Sequence, residues 1–182
     1  MSQSTNKITD IIILVILFLL SSYLCYSVSL TSLELLNINY VFITKMSSFF
    51  SAFIPLSIFL FYLFTTKYMF AVYDIDFNFF TVFKIVSFSY LPILFTQAIT
   101  FYILIGLNSS NFNTEYTYLN TEFAGFNLSN IFKVFEYFWG IFYLIFIVLI
   151  KKEYKLSIKK TLFITLLPTG ILLIFNYLWK FI

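Results

Sequence analysis

Five apolar stretches, at about 11–30, 47–66, 85–107, 131–150 and 161–182, each come close to the length that crosses a bilayer. A hydrocarbon core of roughly 30 Å takes about 20 apolar residues of helix at about 1.5 Å rise each. The expected fold is therefore all-α, a polytopic membrane helical bundle with five transmembrane helices. The spans follow one another too closely for a linker, so residues 1–182 read as a single transmembrane domain. Hydrophobic residues make up 61% of the chain and charged residues 10%. A soluble domain of that balance would lack the polar surface to stay in solution.

Missing residue types exclude much catalytic chemistry. With neither histidine nor arginine in the chain, an imidazole base and imidazole metal ligation are both ruled out. Cys25 is the single cysteine and lies inside the first span, where no disulfide partner and no activating base is at hand. Four glycines are scattered at 106, 125, 140 and 170, so there is no phosphate-binding loop. The Asp74-Ile75-Asp76 triplet offers oxygen ligands, but two carboxylates without other acids nearby make a poor metal site. Asp76 is expected instead to cap a short amphipathic helix containing Phe79, Phe80, Phe83 and Ile85. No enzyme activity, catalytic residue, cofactor, metal or nucleic-acid partner is expected.

In the first span, Thr9 and Asp10 can cap the N-terminus. Lys7 followed by apolar residues resembles a secretory signal, but the apolar character runs on to Leu30 and further spans follow, so a retained helix is expected. Ser21, Cys25 and Ser29 recur every four residues and form a small-residue stripe that would let a neighbouring helix approach. Residues 31–46 mix leucines with Glu34, Asn37 and Asn39, and suit either an extension of the first span or an interfacial helix. Pro55 falls within the second span. Ser87, Tyr90, Gln97 and Thr100 give the third span one polar face, expected to turn toward protein. The connection 108–130 is the longest polar one, and its Asn127-Leu128-Ser129 matches a glycosylation acceptor that occurs often by chance. In the fourth span, Glu136 is the one acid within an apolar stretch, a default candidate for function. With Lys133 one turn before it, an interfacial ion pair is the expected arrangement, and Trp139 and Gly140 follow.

Lysine placement sets the expected orientation. With spans alternating in direction, Lys7, Lys67, Lys84, Lys151, Lys152, Lys155, Lys159 and Lys160 fall on one side, and Lys45, Lys133 and Lys180 on the other. The N-terminus is then cytoplasmic and the C-terminus outside. Five lysines between 151 and 160 could also hold anionic headgroups.

From about residue 77 onward the order of features resembles the Yip family, the Ypt/Rab-interacting membrane proteins, in its bacterial form. Lys84-Ile85-Val86-Ser87-Phe88-Ser89-Tyr90-Leu91-Pro92 opens the third span with a Ser-Tyr-x-Pro pattern. A polar loop follows, and then Phe135-Glu136-Tyr137-Phe138-Trp139-Gly140 opens the fourth span. Ser157-Ile158-Lys159-Lys160 leads into the last. The resemblance implies a five-span bundle without catalytic activity, acting through other membrane proteins. Bacterial relatives are often found with ABC exporters of antimicrobial peptides, as accessory subunits for efflux and self-protection. That implies a multi-pass protein of the bacterial cytoplasmic membrane, in contact with lipid and with exporter subunits. Its candidate contact surfaces are residues 76–85, with Asp76 and Lys84, and the loop 151–160. The competing expectation is a small-solute transporter or channel using the polar face of the third span, Glu136 and Asn176. A third is the permease subunit of an ABC transporter.

Overall fold

The computed structural model describes residues 2–35, 41–107, 122–123 and 125–179, with side chains at 12–13, 15–33, 42–107, 122–123 and 125–170. Among the described residues the chain is all-α apart from one small hairpin. Its elements are α1 (Ser2–Leu35), α2 (Val41–Ser51), α3 (Ile54–Val72), α4 (Phe79–Gly106), β1 (Glu122–Phe123), β2 (Phe126–Asn127), α5 (Leu128–Tyr154) and α6 (Ile158–Trp179). Four stretches among the described residues are long and apolar enough to cross a membrane: Val15–Leu33, Phe42–Val72, Phe79–Gly106 and Leu128–Tyr154. The fifth expected span falls on α6, where much of the apolar stretch lies outside the described side chains.

The helices outrun the apolar stretches that announced them. Helix α1 passes through Thr9 and Asp10, so neither caps it; no Pro or Gly before them interrupts the helix. Residues 31–35 prolong α1 and 41–46 open α2, while 36–40 lie outside the described residues. No separate short helix precedes the third span, because Phe79, Phe80, Phe83 and Ile85 are the first turns of α4 itself. Its cap is Asn78 and not Asp76: the Asn78 Oδ1 accepts the Thr81 N–H at 3.1 Å, satisfying one of the unpaired amides of the first turn. Asn127 does the same for α5, accepting the Ser129 N–H at 2.9 Å.

Short left-handed turns close one end of the bundle. Asp74 takes φ 53° after α3, the Asp74 N–H reaches the Ala71 carbonyl, and the Ile75 N–H reaches the Phe70 carbonyl at 2.9 Å. This is a Schellman closure, and Asp is among the few residues that tolerate the left-handed region. Lys155 repeats it after α5 with φ 52°, and the Leu156 N–H bonds back to the Lys151 carbonyl. At the other end, β1 and β2 pair antiparallel, Glu122 opposite Asn127 and Phe123 opposite Phe126. Gly125 turns that hairpin with φ +81°, and a Cβ on Gly106 would stand 3.2 Å from the Phe123 ring. Glycine at 106 lets the hairpin fold back on the end of α4.

Helix α4 sits centrally, packed against α1, α3 and α5, while α6 packs on α5 and α3 and α2 leans chiefly on α1. The core joins Phe59, Tyr62, Leu63, Met69 and Phe70 of α3 to Val82, Ile85, Val86, Tyr90 and Ile93 of α4. From the far side Phe142, Phe146 and Ile150 of α5 and Ile164 of α6 complete it. Outward faces are equally apolar: Leu19, Phe64, Tyr102, Ile105 and Leu144 are each more than half exposed. In water such a surface would drive aggregation, whereas lipid chains satisfy it. Four helices long and apolar enough to span, with apolar residues facing outward, point to a membrane protein.

Candidate functional site

Polar side chains in apolar helices need partners within the protein, and among the described residues they tie one helix to another in two places. The first ties α1 to α4. Gln97 accepts a hydrogen bond on Oε1 from the Ser21 hydroxyl at 2.9 Å. Its Nε2 donates to the Tyr90 hydroxyl at 2.9 Å and to the Cys25 sulfur at 3.1 Å. Both ends of one amide are thereby used, and Ser21 and Tyr90 are buried. The small residues of α1 allow this approach, since a larger side chain at Ser21 would separate the two helices. The second place joins three helices: the Tyr62 and Tyr143 hydroxyls of α3 and α5 bond to one another. Tyr143 also donates to the Thr169 hydroxyl of α6 at 2.9 Å.

Beside Gln97 the bundle opens into a cleft of about 370 Å³. Cys25 and Ser29 of α1, Gln97 and Thr100 of α4, and Glu136 and Trp139 of α5 face it, with Phe132 and Phe135 adding aromatic wall. Ser51 and Ile54 close its remaining side, at the two-residue break between α2 and α3. Pro55 explains the break, because it has no N–H to offer the Ser51 carbonyl one turn back. Pro92 and Pro168, by contrast, sit inside unbroken helices.

The residues singled out by the sequence are thus divided. Gln97, Trp139 and Glu136 come together in the cleft, and Tyr90 supports it through Gln97. Pro92 is half-buried near the middle of α4, so the Ser89-Tyr90-Leu91-Pro92 pattern does not open a span. The expected pair of Lys133 and Glu136 does not form: both are exposed, and no ion pair joins them among the described residues. Helix α5 begins at Leu128, which puts Glu136 about 12 Å along it by helical rise and carries it past the helix end into the cleft. Gly140 is exposed and a Cβ there would meet nothing within 4 Å, so it serves no close helix approach.

At the opposite end stand the charged candidates. Asp76, Lys151, Lys152, Lys155, Lys159 and Lys160 are exposed. Lys84 is half-buried, its Nζ 6.0 Å from the Phe88 ring centre, and Lys160 lies 5.6 Å over the Tyr73 ring. Among the described residues no group of three or more metal-ligating side chains gathers, and Asp74 serves as the turn residue after α3.

Tyr62, Tyr143 and Thr169 were missed from sequence; the available signal was that a hydroxyl inside an apolar span needs a partner. No known family model, no curated protein and no solved structure matches the chain.

Proposed function

We propose that the chain is a five-span protein of a bacterial cytoplasmic membrane, N-terminus inside and C-terminus outside, and a non-enzymatic accessory subunit of an ABC-type exporter. In this reading it serves antimicrobial peptide efflux or self-immunity, as its resemblance to bacterial Yip-family proteins implies. The observation that supports it is the charged end. The α3–α4 and α5–α6 turns lie together there, and the turns with their flanking helix ends carry Lys67, Lys84, Lys151, Lys152, Lys155, Lys159 and Lys160, opposed by Asp74, Asp76 and Glu153. Cytoplasmic loops carry such lysine excess. A firm cationic platform at that face suits docking by a soluble ATPase subunit.

Three measurements test this. In a Cys25→Ser background, a cysteine at Ser110 should label from outside the cell and one at Ile158 only with a permeant reagent. Gentle-detergent purification should bring exporter subunits with the chain, and deletion should sensitise cells to a peptide. Reversed labelling removes the orientation; an isolated chain with no sensitivity phenotype removes the accessory role.

The second reading is a transporter of small solutes, and the cleft favours it. A helix interrupted at Pro55 beside polar groups and an intramembrane acid resembles the broken-helix sites of secondary transporters. Solute flux by the reconstituted chain alone would select it.

A further inference from the structure

The chemistry of the cleft is one-sided. Its hydroxyls spend their protons on their own helices: Thr96 Oγ1 donates to the Ile93 carbonyl at 2.8 Å, Thr100 Oγ1 to the Thr96 carbonyl at 2.8 Å, and Ser51 Oγ to the Ser47 carbonyl at 3.0 Å. Both Gln97 N–H groups are taken by Tyr90 and Cys25. The donors left are the Ser29 hydroxyl, the Cys25 thiol and the Trp139 indole. What lines the opening is electron-rich: hydroxyl lone pairs, three aromatic rings and the Glu136 carboxylate. Among the described residues Glu136 is the only charged one lining the cleft, and no hydrogen bond or ion pair from another of them reaches it.

Glu136 lies on a helix long and apolar enough to cross a membrane, and a carboxylate there is costly unless something compensates it. Lys133 stands one turn away and does not pair with it. Aromatic faces attract cations through their quadrupoles, most strongly the indole of Trp. The cleft also falls in the size range of small-molecule sites, roughly 300–1,000 Å³. We propose that the cleft between α1, α4 and α5 binds a lipophilic organic cation, with Glu136 as its counter-charge and Trp139 and Phe135 as its aromatic wall. Apolar walls strip the ligand of water, and the single carboxylate selects its sign. The inference goes beyond the accessory role and is independent of any partner complex, so failure to co-purify an exporter leaves it standing.

The probes are tetraphenylphosphonium and tetraphenylborate, which share a shape and differ in the sign of charge. Equilibrium dialysis of each, labelled, against the full chain in nanodiscs, with empty nanodiscs subtracted, gives the occupancy. The expected result is saturable binding of one phosphonium per chain and none of the borate. Glu136→Gln should weaken phosphonium binding at least tenfold and Trp139→Leu about fivefold, while Glu153→Gln at the far end should leave it unchanged. Equal binding of both ions, no saturable binding, or full affinity in a monodisperse Glu136→Gln chain overturns the proposal. Should Glu136→Gln fail to fold, the charge selectivity of the unsubstituted chain decides by itself.

Discussion

At the end where α3 turns into α4 and α5 into α6, the connections are short and left-handed at Asp74 and Lys155, and the interior is filled with rings. Phe70 is fully buried there, with the Tyr154 ring edge-on at 4.6 Å and Phe77 at 6.2 Å. At the other end the interior dwindles to Leu104 against Val28 and Leu107, and the space becomes the cleft. The two ends use the same helices, so the difference lies in side chains and in one backbone break. Where aromatic side chains interdigitate, the helices are fixed by packing, which in lipid is the main source of association. Where Pro55 interrupts α2 and α3, the α2 segment leans on α1, and polar groups line what would otherwise be core. One end is closed by packed rings and the other holds an open cleft.

The strongest way to break this contrast is at the packed end. Phe70→Ala removes a fully buried ring from between α3, α4 and α5, and should destabilise the bundle by about 3–5 kcal/mol. Thermal unfolding in detergent would report it as a large fall in Tm. An equivalent truncation in the cleft wall, Phe132→Ala, should cost much less, because that ring is half-buried beside open space. Similar losses for both would mean that the two ends are equally packed.

A smaller effect is expected from the latch at the base of the cleft. Gln97→Leu removes the acceptor for Ser21 and the donor for Tyr90 and Cys25 at once. Interhelical hydrogen bonds in membranes contribute about 0.6 kcal/mol on average and up to about 1.7. The Ser21 and Tyr90 hydroxyls can still bond to one another, so a loss of about 1 kcal/mol is expected. It should appear together with faster reaction of Cys25 toward a small permeant thiol reagent as α1 loosens from α4. Unchanged Cys25 reactivity would show that packing alone holds α1 in place.

Much of the frame was legible because apolar runs of membrane length report themselves without long-range information. The polar face of α4 was legible too, since Ser87, Tyr90, Gln97 and Thr100 share a helical period. What escaped depends on geometry that a linear pattern does not carry. Asp76 and Asn78 are both capping residue types two positions apart, and the Schellman closure at Asp74 decides which of them reaches the first turn of α4. Pro55, Pro92 and Pro168 look alike in sequence, yet only the first coincides with a break. The expected pairing of Lys133 with Glu136 rested on their spacing of one turn, and that spacing does not tell that Glu136 lines the cleft with Gln97 and Trp139 while Lys133 does not. The partnership of Tyr62, Tyr143 and Thr169 joins residues far apart in the chain, and nothing local announces it.

That hydroxyl cluster gives the smallest and finest test. Tyr62→Phe keeps the ring that packs on Phe142 at 5.0 Å and on Phe146 at 5.6 Å, and deletes only the hydroxyl. Tyr143 and Thr169 still bond to one another, so α5 stays tied to α6 and no buried donor is stranded. The expected loss is therefore about 0.6 kcal/mol, the average for one such bond in a membrane. Thr169→Val should cost somewhat more, because it removes the acceptor of Tyr143 and the 3.4 Å contact to Tyr62, and the double variant should lose less than the sum, because each change removes part of the same network. Strict additivity in that cycle, read by detergent unfolding, would show that the three hydroxyls act independently and that the packed end owes its rigidity to rings alone.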